Sequence, residues 1–176
     1  MTYETVGVNT GTSEATALAH GGSANTKNST FTQIDASTSI TVDGFWVYCG
    51  VNSSSAGIDS LIDIATGASA SEVILIGDIL FSSGDGQGES NLIYFPISIA
   101  SGTRISARHQ NRGISGTVDV AIILTTDSGL DVTAFAACDT MGAVIADSGG
   151  TQIDPGAVAN TKNSPYVEID APAERV

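Results

Sequence analysis

Thr117-Val118-Asp119-Val120-Ala121-Ile122-Ile123-Leu124-Thr125 puts Val118, Val120, Ile122 and Leu124 on one face of an extended chain at period two. That spacing predicts a strand with one face in a core. Working outward, Ile97-Ser98-Ile99 and Thr103-Arg104-Ile105-Ser106-Ala107 predict two strands around Ala100-Ser101-Gly102. Ile97, Ile99, Ile105 and Ala107 would face inward, with Arg104, Ser106 and Arg108 outward. Ser39-Ile40-Thr41-Val42 alternates into Asp43-Gly44, a strong turn dipeptide, and Phe45-Trp46-Val47-Tyr48-Cys49 resumes as an aromatic-rich strand. Leu61 to Ile64, Glu72 to Phe81 and Leu92 to Phe95 add apolar runs; Thr16 to Ala19, Phe31 to Asp35 and Asp131 to Phe135 add weaker ones. No stretch has helical periodicity, and Val73, Ile74, Ile76 and Ile79 favour a strand over a helix in theirs.

About eight to ten strands in the first 135 residues predict an all-β fold, an antiparallel, jelly-roll-like β-sandwich. The expected core comprises Ile40, Val42, Val47, Ile62, Ile64, Ile74, Ile76, Ile97, Ile99, Ile105, Val118, Val120, Ile122 and Leu124.

Composition agrees with strands. Only 14 % of the 176 residues are charged, too few for helical surfaces, while 41 % are hydrophobic, enough for a core. The 19 acidic residues outnumber 6 basic ones, for a net charge of −13. Such a surface repels phosphate, so neither nucleic acid nor an anionic membrane is an expected partner. Met1-Thr-Tyr-Glu-Thr has neither a basic nor an apolar leader segment, and Val73 to Phe81, interrupted by Gly77 and Asp78, is too short to span a membrane. Cys49 and Cys138 lie in no metal-binding pattern and read as small buried hydrophobes rather than a disulfide.

The chain also repeats itself. Ala24-Asn25-Thr26-Lys27-Asn28-Ser29 returns as Ala159-Asn160-Thr161-Lys162-Asn163-Ser164, and Ile34-Asp35-Ala36 returns as Ile169-Asp170-Ala171, both at an offset of 135. In the same ungapped register Thr5, Gly7, Ser13, Thr16 and Gly21 match Thr140, Gly142, Ser148, Thr151 and Gly156, giving 14 identities in the 37 positions from Thr5 to Thr41. The expected organisation is one sandwich over 1–135 followed by the opening segment of a second copy over 136–176. The other reading of that segment is a strand pair used for linking or swapping. In both copies Asn-Thr-Lys-Asn is turn chemistry, because Asn tolerates left-handed backbone. Phe31 and Tyr166 should hold equivalent places.

No catalytic constellation is present: there is no GxSxG, Walker loop or HExxH. No catalytic, cofactor-binding or metal residues are therefore assigned, and no cofactor is expected. His20 and His109 read as solvated groups in a loop and at a strand end. Asp59, Asp63 and Asp78 read as surface acids, and Lys27 as part of a turn rather than a ligand group. Asp85, Gln87 and Glu89 alternate with glycines in Ser82 to Ser90, but they miss the calcium-loop spacing and read as a hairpin loop. Arg104, Arg108 and Arg112, with His109, form the one basic cluster and a candidate contact patch for an acidic partner surface. Trp46, Tyr48 and Tyr94 are a candidate sugar-stacking platform if they face solvent, and core if they do not.

From Gly21 to Leu124 the sequence resembles a group of poorly characterised tailed-phage and prophage virion proteins. The resemblance rests on ANTKNS leading to A-S-T-S-I, on LIDIATGASASEVILIGDIL and on YFPISIASGTRISARHQ. It implies a non-enzymatic structural role as a capsid decoration, head-fibre or tail-fibre component at the particle surface or tail. Its partners would be other virion proteins and copies of itself. A carbohydrate-binding module on a fibre or secreted surface protein, meeting a host-surface glycan, is the alternative.

Overall fold

The structure is a computed structural model that describes residues 2–51, 59–83, 90–113, 116–126, 135–162 and 165–169. The glycine-flanked stretch at Asp85, Gln87 and Glu89 and most of the Asp131 to Phe135 run lie outside the described residues, as do Asn163, Ser164, Asp170 and Ala171. No helix occurs among the described residues. The strands are β1 (Tyr3–Val6), β2 (Val8–Asn9), β3 (Glu14–Ala19), β4 (Thr32–Asp35), β5 (Gly44–Val51), β6 (Asp59–Thr66), β7 (Val73–Ser82), β8 (Ser90–Phe95), β9 (Ile105–Asn111), β10 (Thr117–Thr125), β11 (Cys138–Asp139), β12 (Ala143–Val144) and β13 (Gly149–Gly150).

The first sheet runs β2-β3-β10-β5-β8, with β1 also on β10; the second runs β11-β7-β6-β9-β4. Numbering β3 to β10 as first to eighth, the two sheets read 1-8-3-6 and 2-7-4-5. The chain thus changes sheet at every step except the β6–β7 hairpin, which is the jelly-roll winding of two antiparallel sheets. Val118, Val120, Ile122 and Leu124 of β10, beside Val47 and Cys49 of β5, share one core with Ile62, Ile64, Ile97 and Ile105. Period-two patterning selects the face, because a slip of one residue would turn every one of these apolar groups to solvent.

Several sequence expectations need correction. Ile74 is 41 % exposed, not core. Between Ile62↔Ile79 and Ile64↔Ile76, and again between Ile64↔Ile76 and Ala65↔Ile74, β7 carries one residue more than β6. The first of these bulges holds Asp78 at φ 57, and the second turns Leu75 toward the core and Ile74 out. Ser39–Val42 is no hairpin arm: the Asp43 N–H donates to Thr125 O at 2.9 Å, so Asp43-Gly44 leads into β5 beside β10. Ile97 and Ile99 make only isolated bridges, to Phe135 and Val42. Ser106, expected on the outward face, is buried.

β1 and β3 pair with the two ends of β10, and residues 7–15 loop out between them. Thr16 Oγ1 closes that loop on Gly7 O at 3.0 Å. At an offset of 135 the same construction recurs. Thr151 Oγ1 donates to Gly142 O at 3.1 Å, and Ala143↔Gly150 and Val144↔Gly149 mirror Val8↔Ala15 and Asn9↔Glu14. Gly7 and Gly142 share φ 76 and 77, Ser13 and Ser148 share 60 and 58, and Asn25 and Asn160 share 55 and 63.

The surroundings of the two copies differ. β1 lies antiparallel on β10, whereas β11 lies parallel on β7, held there by Thr140 Oγ1 donating to Gly77 O at 2.9 Å. Phe31 is half-buried under the Arg108 guanidinium, 4.5 Å from its ring centre, and Tyr166 is fully exposed.

Candidate functional site

Two surfaces carry unusual side chains. On the first sheet, the alternation of β5 buries Phe45, Val47 and Cys49 and turns Trp46 and Tyr48 outward, 37 % and 36 % exposed. The register Trp46↔Tyr94 and Tyr48↔Leu92 brings β8 alongside, and the Trp46 and Tyr94 ring centres are 5.0 Å apart at 51°. Two glycines let the tyrosines lie down on the sheet: a Cβ at Gly44 would overlap the Tyr94 hydroxyl, and one at Gly50 the Tyr48 hydroxyl. With Leu92, 54 % exposed, the three aromatics form a low apolar platform near one edge. All three predicted platform residues are therefore brought together on the outside of the sandwich.

The second surface is the outer face of the second sheet. Asp63 on β6 is 2 % exposed, and its Oδ2 accepts from Arg108 Nε at 2.8 Å. Its Oδ1 accepts from the Asp78 N–H at 3.0 Å and from Lys27, which also pairs with Asp78 at 2.7 Å. Lys27 is carried there by the repeated turn, which runs along β9 through Asn25 N–H to Asn111 O and Asn28 N–H to His109 O. Two carboxylates and two cations thus neutralise one another in a cleft of about 420 Å³, which Cys138 and Ile145 also line. Asp59 takes Arg112 at 3.3 Å and Ser82 Oγ at 2.6 Å.

The basic patch is accordingly divided among partners within the chain. Arg104 pairs with Glu72 at 3.0 Å, Arg108 with Asp63, and Arg112, the most exposed, with Asp59. Against the desolvation that raises it, its own backbone N–H and then the Arg104 guanidinium hold the Glu72 carboxyl below its ordinary value. His109 is not a solvated strand-end group: it is fully buried within β9, and burial, then the His20 and Lys27 charges, push its pKa down to about 4. Cys49 is buried and its thiol pushed up to about 12 by desolvation, and neither cysteine is in a disulfide.

Sequence reasoning missed Gln110, Asn25 and Ser148, which meet across this second surface. Gln110 Nε2 donates to Ile145 O at 2.8 Å and to Ser148 Oγ at 3.0 Å, and Ser148 Oγ donates to Asn25 Oδ1 at 2.8 Å. The Ser13/Ser148 and Asn25/Asn160 identities in the repeat marked two of them, and nothing in the sequence joined them to Gln110.

Fold and surfaces define the chain as an all-β sandwich of jelly-roll strand order, with an aromatic outer platform and a covered polar face. No protein-family model and no curated protein sequence matches it. Among solved structures it is similar to a chain in the structure of infectious bursal disease virus Gx strain, at 18 % identity and TM-score 0.33 over 73 % of this chain and 33 % of that one. The structure of the Gt strain gives 17 % identity and TM-score 0.32 over 70 % and 32 %. This chain spans about a third of the length of the chains it matches.

Proposed function

We propose that this chain is a non-enzymatic structural component of a tailed-bacteriophage virion, a capsid decoration, head-fibre or tail-fibre piece at the particle surface or tail. It is built as one complete unit over 1–135 and the opening of a second over 136–176. The observation that carries the reading is the 1-8-3-6 and 2-7-4-5 strand order, since jelly rolls of this winding serve as capsid and lectin domains. That support is an analogy of fold, which several functions share. The resemblance of the Gly21 to Leu124 stretch narrows it to tailed-phage particles. An acidic exterior, net −13, suits a surface that must not adhere to the packaged genome. Peptide mass spectrometry of gradient-purified particles induced from the source strain tests it. The chain should band with major virion proteins, and its restriction to the particle-free fraction would overturn the assignment.

The second reading is glycan binding, and one observation favours it: Trp46, Tyr48 and Tyr94 lie on the outside, with the tyrosine rings spread over glycines as sugar faces require. A glycan array with the intact chain and Trp46→Ala decides it. Binding lost in Trp46→Ala while the melting temperature holds supports a lectin role; an array empty for both excludes it.

A further inference from the structure

We propose that the outer face of the second sheet around Asn25, Leu80 and Gln110 is a socket whose occupant is the opening hairpin of the following copy of this unit. Successive units would then be joined at a set angle rather than by a free linker. The proposal holds whatever particle or surface the chain belongs to.

A pair of serines carries this inference. Ser13 and Ser148 are the same residue at the same place in the repeat, with the same left-handed backbone, φ 60 and 58. The hairpins around them are paired in the same register. Yet Ser13 is exposed and Ser148 is fully buried. Since local conformation is shared, the difference arises from what Ser148 touches. Its hydroxyl accepts from Gln110 Nε2 and donates to Asn25 Oδ1, so both of its hydrogen-bonding roles are filled from the first unit. Gln110 is itself fully buried, and its amide nitrogen spends its donors on Ser148 and the Ile145 carbonyl. Without the hairpin, a polar amide would sit on that face with nothing but water to meet it. With the hairpin, the pairs are made and shielded.

The two copies also differ where docking demands it. A Cβ on Gly150 would meet Leu80 Cδ2 at 3.0 Å, so a side chain there would have to displace the end of Leu80. The first copy, whose Ser13 is exposed, has Glu14 and Ala15 where the second has Gly149 and Gly150. The socket therefore selects a hairpin bearing serine followed by two glycines.

Amide hydrogen exchange on the full chain tests this, with Ser148→Ala, the paired change Gly149→Glu with Gly150→Ala, and Ser13→Ala as control. Residues 143–151 should be protected in the unaltered chain. Ser148→Ala should speed their exchange about tenfold or more, the size expected when shielded hydrogen bonds are lost. The paired change should release them further, and both should leave β10 protected. Ser13→Ala should not change exchange at 143–151. Free-peptide exchange of 143–151 in the unaltered chain, or equal effects of Ser148→Ala and Ser13→Ala there, would overturn the proposal.

Discussion

Asp63 and Arg108 face each other across β6 and β9, and Asp63 reaches that pairing with almost no exposure to water. Lys27 and the Asp78 N–H complete the coordination of its carboxylate, so one side chain bridges two cations and caps a bulge. Removing it leaves Arg108 without its carboxylate partner and Lys27 with Asp78 alone. Asp63→Ala should cost about 3 kcal/mol or more, since breaking one partner out of a buried pair leaves charge uncompensated. Asp59→Ala, whose Arg112 partner is two-thirds exposed, should cost far less. Parallel urea titrations of the two variants check the contrast.

His109 sets an acid limit on the fold. Its folded pKa of about 4 lies below the ordinary 6.5, because burial disfavours the charged ring. Above pH 6.5 the ring is neutral in both states and adds no pH dependence. As pH falls from 6.5 to 4, the unfolded chain binds a proton that the folded chain refuses, and stability is lost, about 3 kcal/mol in full. Melting temperature against pH should therefore fall more steeply in this window for the unaltered chain than for His109→Gln. Equal slopes would show that His109 is not held neutral.

Asp119, on the outward side of β10, shows the opposite sign. Burial, and then the Glu14 charge, raise its pKa, and its Oδ1 has no hydrogen-bond partner among the described residues. A raised carboxylate pKa means that stability is lost as pH rises from the ordinary value of 3.8 through the folded one, and stays lost above it. Asp119→Asn should raise the melting temperature by a few degrees at pH 7. The gain should vanish below the ordinary carboxylate pKa of 3.8, where both states are protonated.

The two copies of the turn can be separated by one substitution made twice. A Cβ at Gly21 would overlap the Thr26 carbonyl, and one at Gly156 that of Thr161. Gly21→Ala displaces the turn that pairs with β9 and carries Lys27 to Asp63, so it should destabilise the whole sandwich by about 2 kcal/mol. Gly156→Ala strains an equivalent turn in an exposed segment and should leave global unfolding nearly unchanged. Thermal melts of both variants check it.

Strand positions and inward faces were legible in the sequence because a period of two is a local property. Val118 to Leu124, Val47, Ile62, Ile64, Ile97 and Ile105 needed no knowledge of their partners to be assigned to the core. Ile74 was misread because a bulge shifts phase without a marker in composition, and Asp43-Gly44 because pairing with β10 overrode a turn-forming dipeptide. On the candidate surfaces, sequence named Trp46, Tyr48 and Tyr94 but could not say which way they faced. It named the arginines but not the carboxylates that claim them.

By itself the sequence determined the all-β class, the inward sets of β5, β9 and β10 at their apolar positions and the 135-residue repeat, since alternation and identity are written along the chain. Only the tertiary structure decided the order of strands in the two sheets, the burial of His109 and Gln110, and the different fates of Ser13 and Ser148. Each of those depends on which distant segment covers a residue. Two stretches with the same local geometry have different environments when only one of them finds a partner across the fold.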